Sequence, residues 1–588
     1  MSNKKPQQSF QYNTVPTSDN TQNTLFLEKG RLIVPIIFIP GVMGSNLKVK
    51  PKNIKKQKAK KVWRLDSHLS VLGWALPYYG NAKARKLELA PDKTAVDDRG
   101  KIIEASDDAS DRKVAQIKHH YDTQLHLLGN DKSRQNEVRQ LKRERRQKID
   151  EAIKNTTENR LFGSRQERGW GTVGFFSYGE FLDELQTSLF DQSGSIPAKI
   201  NELVNKSPLF SLDDGAKTTL FFKDKKDIEH CKQFYFPVHA MGYNWLKSNE
   251  DSAMALKELV DVTLPRYYQK RGKFYGKVII ITHSMGGLVS RCYTQALGGE
   301  DKVLGVIHGV QPATGAVAAY TRMKRGTEVN SGFFGKPVAA ITENVLGKDA
   351  AEMTAVCAQA PGPLQLLPTP EYGMEWLNII DANGNPISYF SPENPDIYND
   401  IYLAKDKWWC VCEPHLINPL NSDHNEEQMK VDWYKYESIM IKKVKTFNSA
   451  IANQYHPNTY AFFGIENEEE QIKMSALTYQ TAQWQGKNIS SHKEPATNHI
   501  GDQRRLNLKE LKGSRTLKNG DISEKYTLLP ADGNGDGTVP QRSGEIPIKY
   551  LTARMHFSVE HEPAYQKDES QDFTLRAIID IVKKVPLA

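Results

Sequence analysis

The chain has few cysteines and no long apolar run. Five cysteines occur in 588 residues, too few for a disulfide framework. Cys410-Val411-Cys412 lacks CxxC spacing and a paired motif, so we predict no metal there. No stretch approaches the roughly 20 apolar residues that cross a bilayer, and the N-terminal residues lack the apolar segment of a signal peptide. We therefore expect synthesis in the cytoplasm, and any export by a route other than a cleaved signal.

Charge is modest overall but uneven along the chain. The net charge is +9, and basic residues cluster in segments 48–64 and 139–146. Such clusters are typical of a solvated surface, and attraction to anionic lipid headgroups is the alternative. No nucleic-acid recognition motif accompanies them, so we predict no nucleic-acid partner.

One local pattern indicates chemistry. Residues 278–281 are Val-Ile-Ile-Ile, a buried strand, and Thr282-His283-Ser284-Met285-Gly286-Gly287 leads from it into an amphipathic helix. A tight strand-to-helix turn exposes a serine hydroxyl, and the helix N-terminus stabilises negative charge that develops beside it. The usual pattern is G-x-S-x-G, and Thr282 replaces its first glycine. We predict Ser284 as a nucleophile; an ordinary buried serine is the alternative.

Alternation of strands and helices around this turn predicts an α/β fold, with a mostly parallel sheet covered on both faces. Large intervals between these elements indicate insertions at the carboxyl edge of the sheet. We predict a polar N-terminal segment (1–30), a first core segment (31–66), an apolar then charged helical insertion (67–167), a core segment with Ser284 (168–315), lid and cap insertions (316–524) and a last core segment (525–588). Residues 68–80 and 316–360 are candidates for a lid, and a role in packing fits them equally. We also predict a buried strand over 31–40 and a final amphipathic helix from about Ser570, a good N-cap, to Val585.

A serine nucleophile needs a base, and the base needs an acid to orient it. In a fold of this kind the acid follows the serine in the chain, so Asp536, between Gly535 and Gly537, is the candidate. Asp532-x-Asn534-x-Asp536-Gly537 also matches the first half of a calcium-binding loop. The twelfth position of that loop would be Ser543 rather than glutamate, and flanking helices are absent from the pattern.

Two histidines follow Asp536. His561 lies in a loop before the last helix, where the base of such a triad belongs, and His556 ends a strand-like run. We predict His561 as the base, with His556 as the alternative. For the oxyanion hole we predict the backbone N–H groups of Met285 and Val42, the second on the loop Pro40-Gly41-Val42-Met43-Gly44-Ser45 after an early buried strand.

Three blocks together resemble the lecithin–cholesterol acyltransferase-like branch of the α/β-hydrolases: residues 40–47, 282–287 and 535–540. Further segments are similar to the antibacterial lipase effectors of bacterial type VI secretion: residues 168–171, 177–182, 239–246, 361–368 and 561–565. The resemblance is scattered over residues 31–588 and leaves the insertions uncovered.

This resemblance implies an α/β-hydrolase fold and a serine lipase or phospholipase that acts on membrane phospholipid without a cofactor. It also implies a toxin exported by type VI secretion to the periplasm or membrane surface of target cells, with a cognate immunity protein and a secretion-apparatus partner. A soluble carboxylesterase or thioesterase with the same triad is the alternative. A non-catalytic binding protein is a second one.

Overall fold

The computed structural model describes residues 31–50, 60–64, 66, 81–128, 132–191, 197–206, 209–210, 219–220, 225–327, 347–387, 395–405, 407–423, 425–465, 478–486, 498–499, 506–519 and 522–587. The expectations for segments 1–30 and 68–80, and for residues 328–346 of the candidate lid, lie outside the described residues.

The strands are short, and most lie in the central sheet or in the cap. They are β1 (Leu32–Ile33), β2 (Ile36–Ile39), β3 (Leu47–Val49), β4 (Lys61–Trp63), β5 (Thr94–Val96), β6 (Leu209–Phe210), β7 (Thr219–Leu220), β8 (Phe234–Tyr235), β9 (Val238–Ala240), β10 (Lys273–Phe274), β11 (Val278–His283), β12 (Val303–Gly309), β13 (Leu377–Ile380), β14 (Thr459–Gly464), β15 (Ala482–Gly486), β16 (Asn498–His499), β17 (Ser514–Asn519), β18 (Ile522–Leu528) and β19 (Ala553–Phe557).

The α-helices lie on both faces of the central sheet and in the insertions. They are α1 (Ala82–Glu88), α2 (Asp108–Leu128), α3 (Gln135–Lys154), α4 (Thr157–Phe162), α5 (Phe175–Leu189), α6 (Ala198–Asn205), α7 (Lys225–Cys231), α8 (Asn249–Glu258), α9 (Leu264–Tyr268), α10 (Gly286–Arg291), α11 (Val317–Arg325), α12 (Ala350–Cys357), α13 (Pro361–Leu364), α14 (Glu426–Ile439), α15 (Thr446–Ile451), α16 (Leu508–Leu511), α17 (Gln541–Gly544) and α18 (Asp568–Val582).

The central sheet is parallel throughout, in the order β19-β14-β12-β11-β2-β9. Its middle strand, β11, consists largely of β-branched residues, and every residue of it is buried. Such a run suits a strand covered on both faces. The sequence predicted one strand over 31–40, but the structure divides it into β1 and β2 at Pro35, which has no N–H to give to the ladder.

Alternate residues of these strands enter two hydrophobic cores. Phe38 and Ile281 pack in one core with α5 and α18, and Ile39 and Ile280 pack in the other with α8 and α10. The predicted sheet with helices on both faces is therefore confirmed.

The order of the strands places the site. The chain passes from β2 to the edge strand β9, returns to β11 on the other side of β2, and then continues outward through β12, β14 and β19. The carboxyl ends of β2 and β11 therefore meet where the winding reverses, and α/β folds bind ligands at this point.

A cap stands on this edge and has its own sheet, in the order β13-β15-β18-β17-β16. Its core is rich in buried aromatic residues such as Trp376, Trp408 and Trp484. Buried Lys324 and Arg515 both bind the Glu413 carboxylate, at 2.6 and 2.5 Å. This pairing lets charged groups remain in an interior that would otherwise exclude them.

Three local findings refine the sequence expectations. The charged insertion forms the helical hairpin α2–α3, with most of its residues exposed or half-buried. Strand β14 belongs to the central sheet, although it lies within the segment expected to form lid and cap. The last helix begins after Lys567 rather than at Ser570, whose hydroxyl is buried in the first turn.

Candidate active site

Ser284 sits at a sharp turn between β11 and α10. Its φ of 53° is in the left-handed region, which costs a non-glycine residue free energy and lifts the side chain off the sheet. A Cβ on Gly286 would lie 2.5 Å from the Ile39 carbonyl oxygen, and one on Gly287 would lie 2.6 Å from the Gln311 side chain. Gly286 is therefore needed for this turn to pack against the end of β2, and Gly287 for it to pack against Gln311, which follows β12.

The structure also explains why the first glycine of the motif is replaced. Thr282 is fully buried, and its hydroxyl lies 2.8 Å from Nδ1 of His308 on the adjacent strand β12. The β-carbon is thus accommodated, and the side chain ties the end of β11 to its neighbour.

Ser284, His561 and Asp536 form one chain of hydrogen bonds. Nε2 of His561 lies 2.9 Å from Oγ of Ser284, and Nδ1 lies 2.7 Å from Oδ2 of Asp536. The other carboxylate oxygen of Asp536 accepts the N–H groups of Thr538 and Val539, at 2.9 and 2.7 Å. These bonds fix the carboxylate, and the carboxylate orients the imidazole so that Nε2 can take the proton of Ser284.

The sequence left two alternatives open, His556 as the base and a calcium-binding loop that begins at Asp532. His556 lies in β19, with its ring 5.9 Å from that of Phe463, whereas His561 contacts Ser284. The Asp532 carboxylate accepts N–H groups of Gln480 and Thr481, and the side-chain Oδ1 of Asn534 accepts the Gly535 N–H. In the described part of the chain, no group of three His, Cys, Asp or Glu residues is placed to hold a metal ion.

The loop after β2 lies directly against the serine. Met43 has a φ of 62°, and Trp63 Nε1 donates to its carbonyl oxygen at 2.7 Å. Among the described residues, the N–H groups of Val42 and Met285 have no hydrogen-bond acceptor, so both remain available to a ligand. Val42 directly follows Gly41, and Met285 directly follows Ser284. A Cβ on Gly41 would lie 3.0 Å from the Ser284 side chain, so the loop and the turn approach each other closely.

A second network links this loop to His561, and the sequence analysis missed it. Nε2 of His283 lies 2.7 Å from the carbonyl oxygen of His561, so this nitrogen must carry the proton. Nδ1 therefore accepts the Tyr178 hydroxyl at 3.0 Å, and that hydroxyl oxygen accepts the Gly41 N–H at 3.2 Å. Burial, with the nearby His561 adding to it, lowers the pKa of His283 to about 3, so its ring stays neutral.

Oγ of Ser284 opens into a cleft of about 1400 Å³, a volume that includes the open solvent at its mouth. Its lining is mostly apolar and comes from the core, from α11 and α12, and from the segment around α13: Val42, Met43, Trp63, Leu89, Trp245, Ala316, Ala319, Met323, Met353, Val356, Leu364, Leu366 and Leu367. The described parts of the candidate lid, 316–327 and 347–360, thus contribute to the cleft. Of the helices in the described ranges, none combines the length and apolar character required to cross a membrane.

No family model matches the chain, and no curated protein matches it. Solved structures do, among them the crystal structure of the Tle4–Tli4 complex, with a TM-score of 0.67 and 25% sequence identity. That similarity covers 94% of this chain and 99% of the matched chain. Together with the parallel central sheet covered by helices on both faces, it establishes that the chain has an α/β-hydrolase fold.

Proposed function

We propose that this protein is a serine hydrolase that cleaves acyl esters of membrane phospholipids. The observation that carries the proposal is the chain of hydrogen bonds from Ser284 through His561 to Asp536, placed at the floor of an apolar cleft. The triad supplies an activated hydroxyl, and the apolar lining suits the acyl chains of a lipid. A small soluble ester would not need so extensive an apolar lining.

The reaction proceeds in two steps. His561 takes the Ser284 proton while Oγ attacks the ester carbonyl, and the N–H groups of Met285 and Val42 stabilise the oxyanion. The C–O bond of the ester then breaks, and His561 returns the proton to the leaving alcohol, a lysolipid. His561 next deprotonates a water that attacks the acyl-enzyme, so that the fatty acid leaves and Ser284 regains its proton.

The biological setting is also a proposal. The segments that resemble antibacterial effectors indicate a toxin delivered by type VI secretion into target cells, with an immunity protein and a component of the secretion apparatus as partners. The similar solved structure is a complex of two named proteins, which supports a protein partner for this chain. The closer relation to the lecithin–cholesterol acyltransferase-like branch rests on the three sequence blocks alone.

The test compares wild-type protein with Ser284→Ala and with Ser252→Ala, which alters another buried serine. Each is incubated with mixed phospholipid vesicles, and released fatty acid and lysolipid are measured by mass spectrometry. We expect release by wild type and Ser252→Ala, and about a 10³-fold or greater loss for Ser284→Ala. Turnover of a short soluble ester alone would instead indicate an esterase. Equal behaviour of all three proteins in every assay would indicate a binding protein.

The same variants test the role as a toxin. Each is expressed in a bacterium with a leader that directs it to the periplasm, and growth is followed. We expect wild type and Ser252→Ala to arrest growth and Ser284→Ala to permit it. Arrest by all three would show that toxicity does not depend on this hydrolysis.

A further inference from the structure

A buried carboxyl lines the cleft immediately after the histidine of the triad. Glu562 directly follows His561 in the chain, is only 7% exposed, and contributes to the lining beside Ser177 and Tyr178. Its carboxyl group is hydrogen-bonded to the Ser177 side chain. Its Oε1 atom is buried and has no hydrogen-bond partner in the described structure.

Burying a carboxyl group in this position costs free energy unless a hydrogen-bond donor binds it. Burial raises the pKa of Glu562, the hydrogen bond from Ser177 lowers it, and the like charge of Glu560 raises it; together these effects bring the pKa to about 7. An unpaired acceptor in a desolvated wall loses the hydrogen bonds that water would supply. The cleft wall is otherwise mostly apolar, so packing alone does not account for an acidic residue there.

We propose that Glu562 determines substrate specificity by accepting, through its carboxyl group in the cleft wall, a hydrogen bond from an N–H or O–H group in the polar head of the bound lipid. This inference rests on the proposed phospholipase function, and it identifies the polar head group as the part of the substrate that Glu562 recognises. Because Glu562 adjoins His561, a head group bound there lies close to the ester under attack. The donor is either an ammonium, as in ethanolamine, or a hydroxyl, as in glycerol.

A purely structural role makes a different prediction. If Glu562 only anchors its turn to α5 through Ser177, removing either partner disturbs His561 for every substrate alike. If the Glu562 carboxyl group binds the head group, removing it slows hydrolysis only of substrates that carry a hydrogen-bond donor. Phosphatidylcholine provides the comparison, because its trimethylammonium has no N–H, whereas phosphatidylethanolamine and phosphatidylglycerol both carry donors.

The experiment measures kcat/KM on these three lipids with identical acyl chains, for wild type, Glu562→Met and Ser177→Ala. Methionine keeps the length of the side chain and removes the acceptor. We expect Glu562→Met to lower kcat/KM about ten- to hundredfold on lipids with a donor and less than about twofold on phosphatidylcholine. We expect Ser177→Ala to change all three lipids equally. A loss confined to phosphatidylethanolamine identifies an ammonium, and a loss on both donor lipids identifies a hydrogen-bond donor of either kind.

An equal loss on all three lipids, or no loss, would overturn the inference while leaving the hydrolase intact. Binding provides a measurement independent of turnover. In the Ser284→Ala background, calorimetry compares dihexanoyl phosphatidylethanolamine and dihexanoyl phosphatidylglycerol with dihexanoyl phosphatidylcholine, with and without Glu562→Met. We expect a preference for at least one of the two lipids that carry a donor, and we expect Glu562→Met to abolish it. Failure of wild type to hydrolyse any lipid would refute the proposed function, and absence of this binding preference would separately refute the role of Glu562.

Discussion

Two groups of residues line the same cleft and are held in place by different forces. The polar lining around the nucleophile includes Gly41, Tyr178, His283, Ser284 and His561, and hydrogen bonds of 2.7 to 3.2 Å join these five residues. The apolar lining includes Met323, Val356, Leu364 and Leu367, whose side chains pack in the hydrophobic cores.

The difference reflects what each lining has to do. Proton transfer and oxyanion binding depend on direction, and a displacement of about 1 Å can cost about a hundredfold in rate. An acyl chain needs only apolar area, because the hydrophobic effect is non-directional. Substitutions in the polar lining should therefore lower kcat, and those in the apolar lining should alter chain-length preference.

Among substitutions that leave Ser284, Asp536 and His561 in place, the largest effect should come from Gly41→Ala. The added Cβ would lie 2.7 Å from Nδ1 of His283, which cannot retreat because both of its ring nitrogens are hydrogen-bonded. The loop must shift instead and move the Val42 N–H away from the position that we propose for the oxyanion. We expect kcat to fall about 10²- to 10³-fold, measured on phospholipid vesicles.

Gly305→Ala is the matched control for that variant. Its Cβ would crowd the Ile581 side chain at 2.6 Å, in the core under the far end of β12. We expect a lower unfolding temperature and nearly unchanged kcat. Equal losses of kcat in the two variants would show that crowding anywhere in the sheet lowers activity. The polar lining would then not be more sensitive to displacement than the rest of the core.

A smaller effect is expected for Tyr178→Phe, and the cap provides an unusually close control. The Tyr178 hydroxyl bridges Gly41 and His283, and the Tyr320 hydroxyl likewise bridges two groups, donating to Trp409 and accepting from Trp484. We expect Tyr178→Phe to lower kcat about ten- to thirtyfold with KM little changed.

Tyr320→Phe should leave kcat unchanged and lower the free energy of unfolding by about 1–2 kcal/mol, measured by denaturant titration. Both hydroxyls are buried, so loss of stability alone cannot separate the variants. An unchanged kcat in Tyr178→Phe would show that the loop and His561 hold their positions without this bridge.

The sequence predicted what depends on local pattern. The β-branched run of β11 indicates a buried strand, and the small residues after Ser284 indicate a tight turn. Both can be recognised from a few adjacent residues, because each structure restricts which residue types fit locally. Asp536 and His561 were predicted from their order after Ser284 along the chain, and His561 lies within hydrogen-bonding distance of both Ser284 and Asp536.

The sequence could not predict contacts that depend on distant packing. Tyr178 and His283 are 105 residues apart, and no periodicity relates them. Strand β14 is a short apolar run inside a polar segment, and its place beside β12 emerges only when the sheet is assembled. A serine three residues into the last helix matched an N-cap pattern, but tertiary packing starts that helix after Lys567.

The smallest effect should come from the apolar lining, through Val356→Phe in α12. The larger ring fills part of the cleft without touching the hydrogen-bonded network, so long acyl chains lose space while the reacting ester keeps its position. We expect kcat/KM on long-chain phospholipid to fall about fivefold, and hydrolysis of a short-chain ester to change less than about twofold. Val356→Ala, which widens the cleft, is the control and should not favour short chains. If Val356→Phe lowered both activities equally, the apolar lining would also be positioning the reacting groups. The orientation of the substrate would then depend on the whole cleft rather than on the polar lining alone.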